Sequence, residues 1–228
     1  MISFLQSKNL SHFSNLEHGF LKKDQALSPS PYFLHQIHSN KIITLNSVPS
    51  KPIDADGMVT KTPHIALGLK TADCVPVLLF DPDTNVIGAL HAGWKGARLN
   101  IFKNCITEME KLGAGRHRIL AALGPSIAQE SYEVGPEFWK DFQNESPTND
   151  VFFIPSPQKD HFLFDLKGYV VQKLQEEGIL NPEILPFNTY TSTHLFHSYR
   201  NATHEGLTCQ KDYNPEKKPN NISFIKLK

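Results

Sequence analysis

Thr71-Ala72-Asp73-Cys74-Val75-Pro76-Val77-Leu78-Leu79-Phe80-Asp81-Pro82-Asp83-Thr84-Asn85-Val86-Ile87-Gly88-Ala89-Leu90-His91-Ala92-Gly93-Trp94-Lys95-Gly96 is the stretch around which the rest of the chain is organised. It holds two short apolar runs, residues 75–80 and 86–90, joined by Asp81-Pro82-Asp83. Asp and Pro supply turn geometry, and Pro cannot continue a ladder, so the two runs read as a hairpin. A hairpin returns the chain to where it started. Cys74, which precedes the first run, then becomes a spatial neighbour of His91, which follows the second.

Working outward, the hydrophobic period changes after Gly96. Ala97, Ile101, Cys105, Met109 and Leu112 recur every three or four residues, with Phe102 and Ile106 widening the stripe. This predicts one amphipathic helix that stops at Gly113 and carries Cys105 into the core. Its free N–H groups and positive dipole end would face the Cys74/His91 region, a seat for an anion. Upstream, residues 65–69 read as a strand feeding into Cys74. Asp54-Ala55-Asp56-Gly57 reads as a polar turn into a strand at 58–60, because the Gly and bidentate Glu of a calcium loop are absent. Residues 32–38 read as a strand with Gln36 and His38 on one face and His35 and Ile37 on the other. Residues 42–45 read as its hairpin partner. Residues 2–5 and 18–21 read as edge strands.

Beyond Gly113, residues 118–123, 162–164, 184–190 and 222–227 read as strands, 129–132 as a helical turn, 135–142 as a short helix and 144–150 as a loop. Asp165 caps a helix through Glu177, with Leu166, Tyr169, Val170 and Leu174 facing inward and Gly178 as terminator. Ser192 or Thr193 caps a short helical segment through Ser198, and residues 201–221 form a polar stretch. No repeat or linker divides the chain. The expectation is one α+β domain over residues 1–228, layered, with a mixed β-sheet and flanking helices.

Composition bounds the function. The 228 residues suffice for a substantial core. Lys+Arg and Asp+Glu each number 23, so no basic field is available for nucleic acid. No stretch approaches the ~20 apolar residues needed to span a bilayer, and the N-terminus lacks the pattern of a signal peptide. Three irregularly spaced cysteines (Cys74, Cys105, Cys209) argue against a disulfide framework and fit a reducing cytoplasm. Eleven histidines are the compositional oddity.

The residues leave several chemistries open. His38, Cys74 and His91 would suit zinc, and three protein ligands with a fourth position open is the catalytic pattern. His38 as a satisfied strand histidine is the alternative. Cys74 activated by His91, with Asp73 or another acid orienting the imidazole, would be a nucleophile for acyl transfer. Copper is the weakest reading, because the paired His-x-His arrangements of multinuclear copper oxidases are absent. Arg200, after His197-Ser198-Tyr199, could hold a phosphate or carboxylate bidentately, and Lys95 could add to an anion site. Both read equally well as solvated surface cations.

Taken together, the segments resemble a known family. His35-Gln36-Ile37-His38, Asp54-Ala55-Asp56-Gly57, Thr71-Ala72-Asp73-Cys74-Val75-Pro76-Val77, His91-Ala92-Gly93-Trp94-Lys95-Gly96, Gly124-Pro125-Ser126-Ile127, Tyr132-Glu133-Val134-Gly135 and Ser198-Tyr199-Arg200 occur in the order of the laccase-like "multi-copper polyphenol oxidoreductase" family, also called peptidoglycan editing factor-like. The similarity runs from about Leu34 to Gln210. It implies a cytosolic zinc protein of α+β, layered fold with ligands at His38, Cys74 and His91. It also implies purine nucleoside chemistry: phosphorolysis of adenosine, inosine, guanosine or methylthioadenosine, and hydrolytic deamination of adenosine. Bacterial members are linked to editing of peptidoglycan precursors. The chain departs from the family at Asn188-Thr189-Tyr190-Thr191, at Asn201 where a second arginine is common, and at Leu207-Thr208-Cys209-Gln210.

The leading expectation is therefore a zinc enzyme acting on purine nucleosides. Arg200, Lys95 and the helix N-terminus would hold phosphate, and His35 or Asp73 would protonate the leaving base. A Cys74–His91 hydrolase acting on an amide or peptidoglycan-like substrate is the second expectation. A non-catalytic zinc-binding partner of cell-division or cell-wall proteins is the third.

Overall fold

The computed structural model describes residues 4–209 and 219–228. Among them the strands are β1 (Leu16–Phe20), β2 (Tyr32–Phe33), β3 (Ile42–Thr44), β4 (Gly57–Thr60), β5 (Ala66–Thr71), β6 (Val75–Asp81), β7 (Val86–Ala92), β8 (Leu120–Leu123), β9 (Glu133–Val134), β10 (Phe153–Pro155), β11 (Phe162–Phe164), β12 (Glu183–Ile184) and β13 (Asn221–Leu227). The α-helices are α1 (Lys8–Ser11), α2 (Trp94–Arg98), α3 (Ile101–Lys111), α4 (Pro136–Glu145), α5 (Leu166–Glu176) and α6 (Tyr199–His204).

The hairpin of the opening stretch is present as β6 and β7, antiparallel from Val75 opposite Ala92 to Asp81 opposite Val86. It forms the centre of a six-stranded sheet ordered β12-β8-β6-β7-β4-β3. The sheet is mixed: β12 runs parallel to β8 and β3 parallel to β4, while the inner pairs are antiparallel. A four-stranded sheet, β1-β13-β5-β2, is mixed as well. A small third sheet, β10-β11-β9, packs with α4.

Both faces of β6 and β7 are covered, which is why the two runs are continuously apolar rather than alternating. Val75, Val77 and Leu79 join one core with Ile101, Phe102, Cys105 and Met109 of α3. Leu78 and Phe80 join another with Leu67 and Leu69 of β5 and Ile225 of β13. The molecule is therefore an α+β fold in three layers: helices, six-stranded sheet, four-stranded sheet. Truncating any one of these fully buried leucines to alanine costs about 2–5 kcal/mol. At Gly88 the missing side chain admits α3: a Cβ there would lie 3.3 Å from both Cys105 Sγ and Met109 Sδ. Cys105 is thus a core residue, as its place on the apolar stripe indicated.

Several local expectations are corrected. Only residues 32–33 of the 32–38 segment form a strand, and they pair with β5, not with residues 42–45. The latter pair in parallel with β4 in the other sheet. The long helix after Gly96 is two helices. Asn100 adopts a left-handed conformation (φ 52) and its side chain accepts from Lys103 N, ending α2 and capping α3. The 118–123 strand starts at Leu120, and the 144–150 loop contains a 3-10 turn at Pro147–Phe152. The 184–190 strand shrinks to β12, after which Pro186 has no N–H for a ladder. Ser198, rather than Ser192 or Thr193, is the helix cap, accepting from Asn201 N at the start of α6. The first two residues of the 2–5 strand, and residues 210–218 of the polar stretch, lie outside the described residues.

Candidate metal centre

His91 is the penultimate residue of β7, opposite Pro76. Cys74 lies one residue before β6, so the same register sets it across from Gly93. A Cβ on Gly93 would stand 3.1 Å from Cys74 Sγ and 3.2 Å from His38 Cδ2, so the glycine forms the back of a cradle for both. His38 arrives from outside the hairpin, on a loop in which it adopts φ 59. The loop rests on α2 at Gly96, where a Cβ would lie 2.8 Å from Ser39 O. The three side chains offer ligand atoms that all fall within 4.8 Å of one another. His38 and His91 meet edge to face, with ring centroids 4.7 Å apart.

One buried carboxylate organises this geometry. Asp56 Oδ1 accepts from His38 N (2.9 Å) and from His91 Nδ1 (2.8 Å). Its Oδ2 accepts from Ile37 N (3.2 Å), Ser39 N (2.6 Å) and Ser39 Oγ (2.8 Å). This is why residues 37–39 turn instead of extending: their N–H groups converge on the carboxylate rather than on a neighbouring strand. The bond from Nδ1–H also sets the His91 tautomer and leaves Nε2 as its ligand atom. Burial favours the neutral acid at Asp56, but His91 and Ser39 outweigh it and hold the pKa down to about 2.

The electrostatics favour a thiolate. Burial would push the Cys74 thiol up, yet His91 and then His38 bring it down to about 6. Burial likewise opposes charge on His91, but the Cys74 thiolate and Asp56 raise it to about 9. Without a metal the two shifts favour a thiolate beside an imidazolium, and a bound metal would take the place of the proton between them. A thiolate and two imidazoles in a cradle that any larger residue at position 93 would fill are a fitting donor set for a borderline-soft ion such as zinc. Burial falls from His91 (3% exposed) through half-buried Cys74 to exposed His38, so the site opens on the His38 side. There it borders a cavity of about 800 Å³ whose wall includes His35, Gln36, Lys70 and Tyr199.

The other residues singled out from sequence fall in different places. His35 is on the cavity wall, its Nδ1 2.7 Å from Asp54 Oδ1 in an exposed pair. Asp73 (φ 88) is not the acid that orients the imidazole; Asp56 is. The Asp73 carboxylate instead accepts from Thr189 Oγ1 (2.6 Å) and Arg200 N (2.7 Å), tying α6 to the Cys74 loop. The Arg200 side chain lies over the Tyr132 ring and donates from Nη1 to Glu133 O at 2.8 Å. Burial and then the Cys74 charge push the Tyr132 phenol up, with Arg200 opposing, so Tyr132 lies within the field of both. Lys95 is exposed, with Nζ 5.4 Å from the Trp94 ring centroid. The anion seat is reduced accordingly, because α2 has five residues and so little aligned dipole. Asp56, Gly93 and Gly96 were missed as site residues, although each lies in a segment that carried the family resemblance.

Residues 17–210 match the family described as multi-copper polyphenol oxidoreductase laccase. A protein of Rickettsia conorii named purine nucleoside phosphorylase is 36% identical over 219 residues, covering 89% of both chains. One from Rickettsia prowazekii with the same designation is 34% identical and covers 84% of this chain and 86% of that one. A protein of an unknown prokaryote named adenosine deaminase RL5 is 43% identical over 113 residues, half of this chain and 43% of that one. Among solved structures, a Neisseria meningitidis protein of family DUF152 superposes with TM-score 0.79 at 23% identity, covering 94% of this chain and 95% of that one. YlmD from Geobacillus stearothermophilus superposes with TM-score 0.80 at 17% identity over 99% and 98%. These two show that the α+β fold is shared. The length of the sequence match and the Rickettsia relatives establish that the chain belongs to the multi-copper polyphenol oxidoreductase laccase family.

Proposed function

We propose that this chain is a zinc-dependent enzyme of purine nucleoside metabolism, acting in the cytoplasm by phosphorolysis of adenosine, inosine, guanosine or methylthioadenosine and by hydrolytic deamination of adenosine. The observation that carries the reading is the His38–Cys74–His91 set, closed behind by Gly93 and open in front to a cavity of about 800 Å³. Relatives named purine nucleoside phosphorylase and adenosine deaminase support it. The metal, when bound, would polarise a substrate or water oxygen as a Lewis acid.

The chain's own residues do the rest. Asp56 holds the imidazole of His91 and the backbone of the His38 loop through one shared carboxylate oxygen. This reading assigns to His35, on the cavity wall and bonded to Asp54, the proton for a departing base. Arg200 spends Nη1 on Glu133 O, and its remaining N–H groups are the donors this reading assigns to phosphate. The partners are small molecules. Among the described residues no helix is long and apolar enough to cross a membrane.

The test is incubation of metal-analysed protein with adenosine and inosine, with and without phosphate. Free base with ribose 1-phosphate reports phosphorolysis, and inosine from adenosine reports deamination. Zinc-loaded protein that converts neither nucleoside refutes the reading. A second reading is favoured by one observation, the chain Asp56–His91–Cys74, which has the order of an acid, base and thiol nucleophile. Metal-free protein that cleaves an amide or peptidoglycan-like precursor and is inactivated by alkylation of Cys74 would establish that reading instead.

A further inference from the structure

The outer face of the four-stranded sheet carries a second cleft, of about 610 Å³, away from the metal centre. Lys70 lines both this cleft and the cavity over the triad, so the two lie side by side. Strand register explains the cleft. Ala66, Gly68 and Lys70 alternate onto one face of β5, and their β13 partners Lys226, Phe224 and Ile222 share that face. Two of these six positions are Ala and Gly, so the sheet leaves a hollow. Phe33 settles into it: a Cβ on Gly68 would stand 2.6 Å from Phe33 Cε1.

The floor is therefore aromatic, from Phe33 and Phe224, and the rim is cationic. Lys70 Nζ lies 4.7 Å from the Phe33 ring centroid. Lys51 and Lys226 also line the cleft, as does His64. Among the described residues, the one carboxylate lining the cleft with them is Glu17, 3.8 Å from Lys226 Nζ. In a chain of zero formal net charge this is a local excess of positive charge. Lys70 is also fixed at the junction: Gln36 Nε2 donates to its carbonyl at 2.8 Å, and its N–H donates to Gln36 Oε1 at 2.9 Å. From Ala66 to Thr71 the strand advances roughly 17 Å, enough for a ribose and two phosphates beyond a base held at the metal centre.

We propose that this cleft binds the 5′-phosphate extension of a purine nucleotide whose nucleoside part sits over His38, Cys74 and His91, so that the chain takes nucleotides as well as nucleosides. The proposal rests on the purine nucleoside reading. Lysine ammonium groups suit a phosphate chain, and Lys70, which lines both cavities, is the group that a ligand reaching from one into the other would meet.

The test is calorimetric titration of the zinc-loaded protein with adenosine and with adenosine 5′-diphosphate, alongside adenosine turnover. The diphosphate should bind about tenfold or more tightly than adenosine, and the advantage should shrink at high salt. The exposed Lys51→Glu variant and the double variant Lys51→Gln/Lys226→Gln should each remove most of that advantage while leaving adenosine binding and turnover unchanged. Equal affinities in the wild type, or an advantage that survives both variants, overturns the cleft. Should adenosine neither bind nor react while the diphosphate binds in a lysine-dependent way, the cleft stands and the nucleoside reading falls. Adenosine turnover without any preference for the diphosphate leaves the nucleoside reading and removes the cleft.

Discussion

Asp56→Asn is the most informative single substitution, because one carboxylate serves both histidines of the candidate metal centre. The wild-type side chain accepts five hydrogen bonds, two on Oδ1 and three on Oδ2. An amide has one accepting oxygen. If that oxygen takes the Oδ2 position, the NH₂ faces His38 N–H and His91 Nδ1–H. Imidazole can answer only by moving its proton to Nε2, the atom needed for metal. If the amide is reversed, the NH₂ faces the three donors of residues 37–39 and the His38 loop is released. Two lost bonds to a charged acceptor, at about 1.5–3 kcal/mol each, give roughly 3–6 kcal/mol before relaxation. The depressed pKa points the same way for the metal-free protein: although burial opposes the charge, His91 and Ser39 hold the carboxyl down at about 2, so the ionised form stabilises the fold. The sign follows from a lowered folded pKa. This stabilisation is complete above the unfolded carboxylate value of ~4 and is lost as pH falls toward 2. At neutral pH the metal-free Asp56→Asn protein should therefore lose about 2–4 kcal/mol in urea unfolding. Its zinc affinity, measured by competition with a chromophoric chelator, should fall about 10–100-fold. Ser39→Ala is the control: it removes one bond to Oδ2 without touching His91, so it should cost stability but little affinity. Zinc affinity unchanged in Asp56→Asn, with stability reduced, would refute the reasoning and leave Asp56 as a loop staple only.

Gly93→Ala should weaken zinc binding with a stability change of only about 1 kcal/mol, because φ is −74 there and the sole obstruction is the Cβ against Cys74 Sγ and His38; chelator competition and thermal unfolding separate the two effects. Thiol labelling of metal-free protein at neutral pH, read by mass spectrometry, should modify Cys74 and exposed Cys209 and spare Cys105, whose thiol burial pushes far up, until the protein unfolds. Zinc should protect Cys74 alone. Asp81 is buried, and although burial opposes its charge, Arg118 and the N–H groups of Gly115 and Asp83 lower its pKa. Asp81→Asn should therefore melt below wild type at pH 7, and the gap in melting temperature should close as pH drops through and below ~4, the unfolded carboxylate value.

The parts of this molecule that could be read from sequence are those whose causes are local. The β6–β7 hairpin follows from Asp81-Pro82-Asp83 between two apolar runs, and α5 from Asp165, a four-residue apolar stripe and Gly178. Both sets of signals act within a few residues of the structure they specify. The break between α2 and α3 was also local, written as Leu99-Asn100, but the apolar stripe runs through it in phase, and periodicity outvoted a residue that favours left-handed geometry and capping. The pairing of β3 with β4, and of β2 with β5, was not local at all. Residues 32–45 look like a hairpin because both pieces are short and apolar, and nothing nearby reveals that each has a better partner in a different sheet.

His38 shows how the same limit applies to a functional site. The residues alone left His38 open between a candidate ligand and a satisfied strand histidine, the resemblance pointed to the first, and its conformation is a turn rather than the expected strand. The cause lies 18 residues downstream, where Asp56 withdraws the N–H groups of 37–39 from any ladder. Reading Asp54-Ala55-Asp56-Gly57 as a plain polar turn leaves a fully buried carboxylate unexplained. A buried Asp is costly unless several donors converge on it. The sequence offers one set close enough in chain and chemistry: the loop that carries His38, and the imidazole of His91. Had Asp56 been assigned to the core on the strength of the strand that Gly57 begins, it would have demanded those donors. His38 and His91 would then have come together through their shared acceptor, without any appeal to a family.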